Sequence, residues 1–589
     1  MKDPIAYYKA QLESNTKQVA GLQKNLLLLS TLRILTFIIT AVALYFFWGN
    51  YTAMALIAVT GIILFIYLLL NYGRRKAKKE LHEALIHINQ EELQIANGQF
   101  HQRKDGMAHQ DSKHFYSWDI DLFGRGSFFQ YINRTNTPEG EQQLADALKA
   151  NNIKDITKRQ AVVKELSEHI AWTQQYSATA SLVKTQSSAK TILDWLTTHE
   201  PFIPKLMGWF PLVFSIISIV IFGCCIAETM DFNYFGYWLL LGLVITGRFL
   251  KKINTLASNS DKTKETFKQY ASLLEQIETQ TFHSELLIAK QKQIECEGKK
   301  ASAIFKTFSK RLDALDNRSN LISAVFGNGY FLLDIKNAYK VEQWMATYAE
   351  TVAHWFEVVA FFDAYNSLGT YSYNHQDHVF PDLVGTATTI DAQHLGHPLL
   401  NKEKRVTSNL KLDQQQFFII TGANMAGKST FLRTVSLHIV MANVGLPVCA
   451  TSSSYSPIKL ITSMRTSDSL TDDSSYFFSE LTRLKFIVDA IVDEPYFIIL
   501  DEILKGTNST DKALGSKKFV EKLVAGNATG IIATHDLSLC AISETLTEVK
   551  NYYFDAEIIK DELYFDYKLK KGVCQNMNAS FLLKKMEIV

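Results

Sequence analysis

The chain has 589 residues, of which 47% are hydrophobic and 20% charged, a balance that excludes wholesale disorder and predicts roughly three or four packed domains. The net charge is only +2, with 61 basic and 59 acidic side chains, so any surface for binding nucleic acid must be a local patch. The six cysteines are scattered without a C-x-x-C pair, which argues against a zinc site or a disulfide framework.

The amino-terminal residues 1–25 are polar and of mixed charge, and their apolar side chains recur at helical spacing. We predict a helix there and not a signal peptide. Apolar runs follow in two pairs, about 26–72 and about 206–250. Because a helix needs ~20 apolar residues to cross a bilayer, each pair predicts a transmembrane hairpin. Buried core helices are the alternative, particularly for the second pair, whose last helix is short.

Basic side chains follow both predicted hairpins, at 74–79 after the first and at 248–252 after the second. An excess of Lys and Arg marks the cytoplasmic side of a membrane. We therefore predict a multi-pass protein of the inner or plasma membrane with four transmembrane helices. Its amino terminus, its middle region and its carboxyl-terminal domain are expected in the cytoplasm. Arg33 lies inside the first apolar run and is expected to snorkel toward the interface.

The cytoplasmic middle of the chain is predicted to be largely helical. Residues 73–114 are charged with an apolar stripe and then polar, which indicates a helical arm and a linker. Apolar residues recur at helical spacing again over about 258–317. We divide the rest of the chain into a core domain at 115–335 that contains the second hairpin, connecting helices at 336–390, and a final domain at 391–589.

A phosphate-binding loop is predicted in the final domain, where the apolar strand Phe417–Ile420 leads into G-x-x-x-x-G-K-S and then an apolar helix. Glycines let the backbone wrap phosphates, and N–H groups at a helix start supply positive potential. Lys428 is expected to reach the β- and γ-phosphates, and the Ser429 hydroxyl to ligate Mg²⁺. The predicted ATP-binding residues are Gly422, Ala423, Asn424, Met425, Ala426, Gly427, Lys428, Ser429 and Thr430.

Two further apolar strands end in side chains suited to ATP hydrolysis. The strand that begins at Tyr496 ends in Asp501, expected to hold Mg²⁺, and Glu502, expected to polarise the attacking water. The strand from Gly530 ends at His535, which is expected to contact the γ-phosphate. The carboxyl ends of parallel strands share one edge of a sheet, so these motifs should converge. We predict an ATPase that uses ATP and Mg²⁺, with Lys428, Glu502 and His535 as its catalytic residues.

These motifs resemble those of one family. Thr421–Thr430 resembles the TGPNMGGKST loop of MutS proteins, and Asp501–Ser509 resembles their DEIGRGTST. Met464–Leu481 resembles the segment ending S-T-F-M-x-E-M, in which Ser475 matches the signature serine. Upstream, Asp121–Leu148 resembles the start of the MutS lever domain. The resemblance covers about 115–200 and 255–589, and implies an α/β P-loop domain of the ABC type preceded by an all-α lever domain.

The resemblance also implies partners. In the family, the signature serine contacts ATP held by the other subunit, so we expect a homodimer through the ATPase domains with Ser475 acting in trans. DNA is the expected ligand, in a role related to mismatch repair. The chain departs from the family pattern, because a membrane hairpin is expected in place of a mismatch-reading domain and no carboxyl-terminal dimer module is expected. Arg405 stands where an adenine-stacking aromatic is common, and Lys505 replaces an arginine.

Three functions remain open at this stage. The first is a membrane-anchored protein whose DNA binding is switched by ATP. The second is an ATP-gated membrane scaffold that binds a protein partner without DNA. The third is half of an ABC transporter, which the missing L-S-G-G-Q signature and the four predicted spans disfavour.

Overall fold

The computed structural model describes residues 3–182, 188–296, 298–316, 321, 323–385, 387–465, 476–559 and 562–575. The helices of these ranges are α1 (Pro4–Phe46), α2 (Tyr51–Ala96), α3 (Phe128–Ile132), α4 (Pro138–Lys149), α5 (Ile156–Glu168), α6 (Ile170–Ser181), α7 (Ala189–Thr198), α8 (Phe210–Ile226), α9 (Phe232–Thr279), α10 (Glu285–Lys292), α11 (Ala301–Asp316), α12 (Asn328–Phe331), α13 (Leu333–Asn374), α14 (Lys428–Val444), α15 (Tyr476–Asp493), α16 (Ser509–Ala525) and α17 (Ile542–Thr545). The strands are β1 (Glu295–Cys296), β2 (Lys299–Lys300), β3 (Asp382–Leu383), β4 (Thr388–Leu395), β5 (Ser408–Asp413), β6 (Phe417–Gly422), β7 (Ser452–Tyr455), β8 (Lys459–Ser463), β9 (Tyr496–Asp501), β10 (Thr529–Ala533), β11 (Val549–Phe554), β12 (Glu557–Ile559), β13 (Glu562–Tyr564) and β14 (Lys570–Lys571).

Helices α1 and α2 form an apolar hairpin. Asn50 caps α2 by accepting a hydrogen bond from the Ala53 N–H at 3.1 Å. Gly61 permits close helix contact, since a Cβ there would lie 2.4 Å from Thr40 Oγ1. By length and composition, both helices could cross a membrane, and only 11% and 6% of their apolar windows are buried. Most apolar side chains of these two helices are therefore exposed at the surface of the protein.

Two helices of the described ranges meet the criteria for a membrane span, whereas we predicted four. Helix α8 is apolar but has 17 residues, about 26 Å of rise against a hydrocarbon core of ~30 Å. The apolar part of α9 is cut short by Arg248 and the lysines that follow it. The apolar runs in the sequence predicted the helices correctly. The prediction that α8 and α9 are long enough and apolar enough to span a membrane was wrong by these criteria.

A buried ion pair joins the base of the first hairpin to the helical core. Arg134 donates to both carboxylate oxygens of Glu92, at 2.7 and 3.0 Å. Asn374, at the end of α13, donates to Glu92 at 2.8 Å and accepts from the Tyr8 hydroxyl at 2.6 Å. Burial alone would raise the pKa of Glu92, but the Arg134 charge and these hydrogen bonds hold it below its ordinary value. Helices α1, α2 and α13 are thereby connected at one polar junction.

Replacing Arg134 with methionine should destabilise this junction by about 3–5 kcal/mol, because it leaves the Glu92 carboxylate buried without its cation. Arg125→Met removes an exposed cation and should cost almost nothing. Unfolding in detergent measures both. Because the folded pKa of Glu92 is lowered, the pair stabilises the fold above the unfolded pKa and loses its effect as the pH falls through the folded pKa. The difference in the free energy of unfolding between Arg134→Met and Arg125→Met should therefore shrink in acid. An unchanged difference would contradict the stabilising role given to the Glu92–Arg134 pair.

Helix α13 is the axis of the helical core. It spans 42 residues and buries aromatic side chains along most of its length. Its fully buried Asp363 accepts hydrogen bonds from the Thr137 N–H and hydroxyl, at 2.8 and 2.7 Å, at the start of α4. Burial raises the pKa of Asp363 to about 6. A carboxylate on α13 thus caps a neighbouring helix and fixes how the two pack.

The carboxyl-terminal part is a mixed α/β domain, as predicted, and it follows a largely helical region. Within the described residues its main sheet has the order β14-β11-β6-β10-β9-β8. All neighbours are parallel except the β14–β11 pair. A smaller sheet has the order β3-β7-β4-β5. The parallel strands β6, β9 and β10 are almost continuously apolar and buried on both faces, as such strands require.

Candidate functional site

The predicted motifs meet at one edge of the main sheet. Strand β10 lies between β6 and β9, with Ala533 paired to Ile420 on one side and to Asp501 on the other. The three strands run in the same direction, so their carboxyl ends bring the loop after Gly422, the carboxylates at 501 and 502, and His535 together. Residues more than a hundred positions apart in the sequence therefore share one site.

The loop between β6 and α14 has the backbone that a phosphate cradle needs. Gly427 has φ +103° and stands directly before α14, and Met425 is also left-handed with φ +66°. The Lys428 ammonium donates to the carbonyls of Gly422 and Ala423, at 2.8 and 3.0 Å. Burial lowers the pKa of Lys428. Lys428 is thus folded back over its own loop, beside the N–H groups at the start of the helix.

Ser429 and Asp501 form an oxygen pair beside this loop. The Ser429 hydroxyl donates to Asp501 Oδ2 at 2.6 Å. Burial raises the pKa of Asp501, and the Ser429 hydrogen bond opposes that rise. A hydroxyl and a carboxylate are hard oxygen ligands, and Mg²⁺ at phosphate sites typically uses only one or two protein oxygens. The Ser429–Asp501 pair is a donor set of this kind, and the described residues hold no cluster of three or more His, Cys, Asp or Glu side chains able to bind a metal.

Glu502 is positioned by its backbone and by His535. Its φ of +50° is unusual for a non-glycine residue, and its N–H donates to the Ala533 carbonyl at 2.9 Å. His535 Nε2 lies 2.8 Å from Glu502 Oε1 and 3.2 Å from the Lys428 ammonium. Hydrogen bonding from His535 lowers the pKa of Glu502 to about 2. Glu502 therefore stays ionised near neutral pH, with its carboxylate aimed by the imidazole.

A cavity of about 470 Å³ opens over the loop and accounts for residues that the sequence analysis missed. Its floor includes Lys428, Ser429 and Glu502, and its other walls come from β4, β11 and the segments that follow them. The lining residues outside the predicted set include Leu395, His397, Leu400, Val406, Phe431, Phe554 and Tyr567. Apolar and aromatic walls beside a phosphate loop suit a nucleoside.

Two aromatic groups in this wall have specific positions. A Cβ at Gly427 would lie 3.1 Å from the Tyr567 ring, so Tyr567 rests directly on the loop. His397 follows β4 and also lines the cavity, and burial lowers its pKa to about 4, which keeps the imidazole neutral. Arg405 does not line the cavity, because its guanidinium turns toward Asp377 at 4.0 Å. The Arg405 guanidinium is therefore directed toward Asp377, and the Tyr567 ring is an aromatic group that contacts the loop at Gly427.

Ser475 lies outside the described residues, but both flanks of its segment are well placed. On one flank, Arg465 forms two hydrogen bonds with Asp121, at 2.5 and 2.7 Å. On the other, buried Glu480 accepts from the N–H groups of Leu504 and Lys505, at 2.5 and 3.0 Å. The segment is thus tied at one end to the start of the core domain and at the other to the loop after Glu502.

The family model for MutS domain V matches residues 418–585. MutS protein homolog 4 of Homo sapiens is 33% identical over 224 residues, which are 36% of this chain and 23% of that protein. DNA mismatch repair protein MutS of Christiangramia forsetii is 31% identical over 244 residues, 40% of this chain and 28% of that protein. The protein of the same name from Methanococcoides burtonii is 34% identical over 185 residues, 30% and 21% of the two chains. The alignments span about a quarter of the length of these curated relatives.

Proposed function

We propose that this chain, whose residues 418–585 match MutS domain V, is a membrane-anchored ATPase of the MutS family whose nucleotide cycle switches its binding to DNA, in a role related to repair. One observation carries the proposal: Lys428, Ser429 and Glu502 line one cavity at the sheet edge, with Asp501 hydrogen-bonded to Ser429 and His535 beside Lys428 and Glu502. The relatives named for DNA mismatch repair support the DNA part, and the exposed apolar hairpin α1–α2 supports the membrane part.

The proposed chemistry follows from the side chains in place. ATP enters the cavity, and Lys428 exchanges its loop carbonyls for phosphate oxygens. Ser429 and Asp501 would hold Mg²⁺, which would neutralise charge on the phosphates. Ionised Glu502 accepts a hydrogen bond from the attacking water, and His535 keeps that carboxylate oriented and contacts the γ-phosphate side of the cavity. The reaction converts ATP and water to ADP and phosphate.

We propose further that two ATPase domains meet face to face and complete each site with Ser475 of the other subunit. Ser475→Ala should lower hydrolysis about tenfold, the worth of one hydrogen bond, and leave ATP binding intact. Ser538→Ala, an exposed serine, is the control. A sharper measurement mixes Ser475→Ala subunits with Lys428→Ala subunits. In each mixed dimer, the intact Lys428 of one subunit faces the intact Ser475 of the other, so one of the two sites is complete. Recovery to roughly a quarter of the wild-type rate supports action in trans, and no recovery would refute it.

DNA binding is tested by the ATPase rate of the full chain in nanodiscs, with homoduplex, mismatched and branched DNA at two salt concentrations. Phosphate contacts release counterions, so genuine DNA stimulation must weaken as salt rises. The structure most effective at stimulation identifies the preferred DNA. Hydrolysis that is indifferent to every DNA would refute this part of the proposal while leaving the ATPase part standing.

A second candidate function is an ATP-gated membrane scaffold that binds a protein partner without DNA. It is favoured by the even balance of 61 basic and 59 acidic side chains, because a protein that binds DNA through its phosphates usually carries a basic excess. The ATPase measurements with DNA at two salt concentrations distinguish the two candidate functions, because only the first predicts stimulation by DNA that weakens as salt rises.

A further inference from the structure

The connection between α11 and α13 is an unusual apolar segment. The sequence has no charged residue between Arg318 and Asp334. The structure describes Leu321 and residues 323–331 of it, which form a π-helical turn at Ser323–Gly327 followed by α12. Leu332, with φ +49°, then reverses the chain into α13. The end of α11 lies beside the start of α13, because Asn337 donates to the Ala314 carbonyl at 3.3 Å and Arg311 to the Lys340 carbonyl at 2.9 Å. The segment therefore enters and leaves on the same side, as a helical turnaround.

This segment docks closely against α8 and α9. A Cβ at Gly242 would lie 2.2 Å from the Gly329 carbonyl oxygen, so the two backbones touch. The Tyr330 ring stacks on Phe235 with centroids 4.1 Å apart. The contact points lie along the apolar part of α9 between its start and Arg248, not at the base of the hairpin. The turnaround thus reaches well up the side of the α8–α9 hairpin.

Polar groups of the segment are satisfied within the protein. The Ser218 hydroxyl donates to the Tyr330 carbonyl at 2.7 Å and accepts from Trp238 Nε1 at 2.7 Å. Asn328 donates to the Ala324 carbonyl at 3.1 Å and accepts from the Asp334 N–H at 2.9 Å. Backbone at membrane depth must find its partners internally, because hydrocarbon offers none. A turn exposed to water would not need a hydroxyl from a neighbouring helix.

The outer face of the assembly is apolar and exposed. Leu321 is 78% exposed and Phe326 is 52% exposed, next to the exposed apolar side chains of α8 and α9. Exposed aromatic residues lie at the ends of these helices, as at Trp209 and Tyr234. Exposed cations follow at the base, namely Lys205, Arg248, Lys251 and Lys252. An apolar band with aromatic and basic borders is the pattern of a lipid-facing surface.

We infer that Leu321 and residues 323–331 re-enter the bilayer beside α8 and α9 without crossing it, so that three apolar elements form one membrane-inserted tip with lipid acyl chains as the occupant. The inference rests on the membrane anchoring proposed above. It explains why α8, too short to match the hydrocarbon thickness alone, leaves so many apolar side chains uncovered. We name the three elements the apolar tip.

The test uses the full chain in nanodiscs that contain a phospholipid with a diazirine on its acyl chain, followed by mapping of the adducts by mass spectrometry. Adducts are expected on α1–α2 and on the apolar tip, including Phe326. They should be about tenfold rarer on Val492 and Leu514, which are exposed apolar side chains of the ATPase domain. Phe326→Lys should lower adducts on 321–331 about tenfold and leave those on α1–α2 unchanged, and Val492→Lys should change neither.

Different failures have different meanings. Adducts on α1–α2 with none on 321–331 would overturn the inference and leave the membrane anchor standing. Adducts absent from both regions would overturn the anchor as well. Adducts on the ATPase controls equal to those on Phe326 would also overturn the inference. Photo-crosslinks between two copies at 321–331 in place of lipid adducts would identify a second copy as the occupant.

Discussion

Replacing Glu502 with glutamine is expected to slow ATP hydrolysis by about 10²- to 10⁴-fold while ATP still binds. The amide keeps the size of the side chain and removes the charge that polarises water. The pKa of about 2 for Glu502 means that the wild-type protein carries this charge throughout the neutral range. Single-turnover hydrolysis and equilibrium binding of a fluorescent ATP analogue measure the two effects separately.

The control for this substitution is Glu544→Gln, which alters an exposed carboxylate away from the cavity and should leave both measurements unchanged. A further check is ATP trapping, because a site that binds but does not hydrolyse should retain ATP after gel filtration. Loss of binding together with hydrolysis would contradict the role given to Glu502. So would a glutamine variant with the wild-type rate, which would place the water-polarising group elsewhere.

Replacing Lys428 with alanine is expected to affect the binding step. The ammonium makes charge-assisted hydrogen bonds to phosphate oxygens, so its removal should weaken ATP binding about 10- to 100-fold. Hydrolysis should fall by about 10³-fold, since the same charge stabilises the transferring phosphoryl group. Lys518→Ala removes an exposed cation of α16 and is the matched control. Binding that survives in Lys428→Ala would refute the assignment of the loop.

The control for folding matters here because Lys428 also bonds to its own loop. Its removal frees the carbonyls of buried Gly422 and half-buried Ala423, and water can reach them from the open cavity that Ala423 lines. We therefore expect the melting temperature without nucleotide to change little, and the stabilisation by added ATP to disappear. A variant that melts much earlier without nucleotide would show that the loss of activity is structural.

Local patterns predicted the elements of the ATPase domain well. The apolar run Phe417–Ile420 lies in β6, and the run before Asp501 lies in β9, because fully buried parallel strands leave an unbroken apolar signature. The helix after the loop starts at Lys428, directly after a glycine in the left-handed region. The confirmed family resemblance rests on the same short motifs. The roles of the individual side chains stay predictions.

Contacts between distant segments could not be predicted in the same way. Phe554 and Tyr567 join the cavity wall only because β11 pairs with β6 and the chain then folds back over the loop. Arg405 has a suitable sequence position for nucleotide stacking but turns away to Asp377, which no local pattern reveals. The position of the apolar segment before α13 also depends on its contact with α9, which its own sequence does not reveal. These features depend on tertiary packing, which a one-dimensional pattern does not record.

Under the membrane anchoring proposed above, the length of α13 would set the distance between the membrane and the proposed nucleotide site. Near its start, the Tyr339 ring lies against Gly208, immediately before α8, and at its end Asn374 meets the base of the first hairpin. These points are separated by about 50 Å of helix, while the part of α2 below the apolar run, 73–96, measures about 35 Å. If both hairpins lie in one bilayer, as proposed above, these two helices would hold the ATPase domain clear of the lipid. The space between them would then be wide enough for a partner of ~30 Å, about the diameter of a small domain.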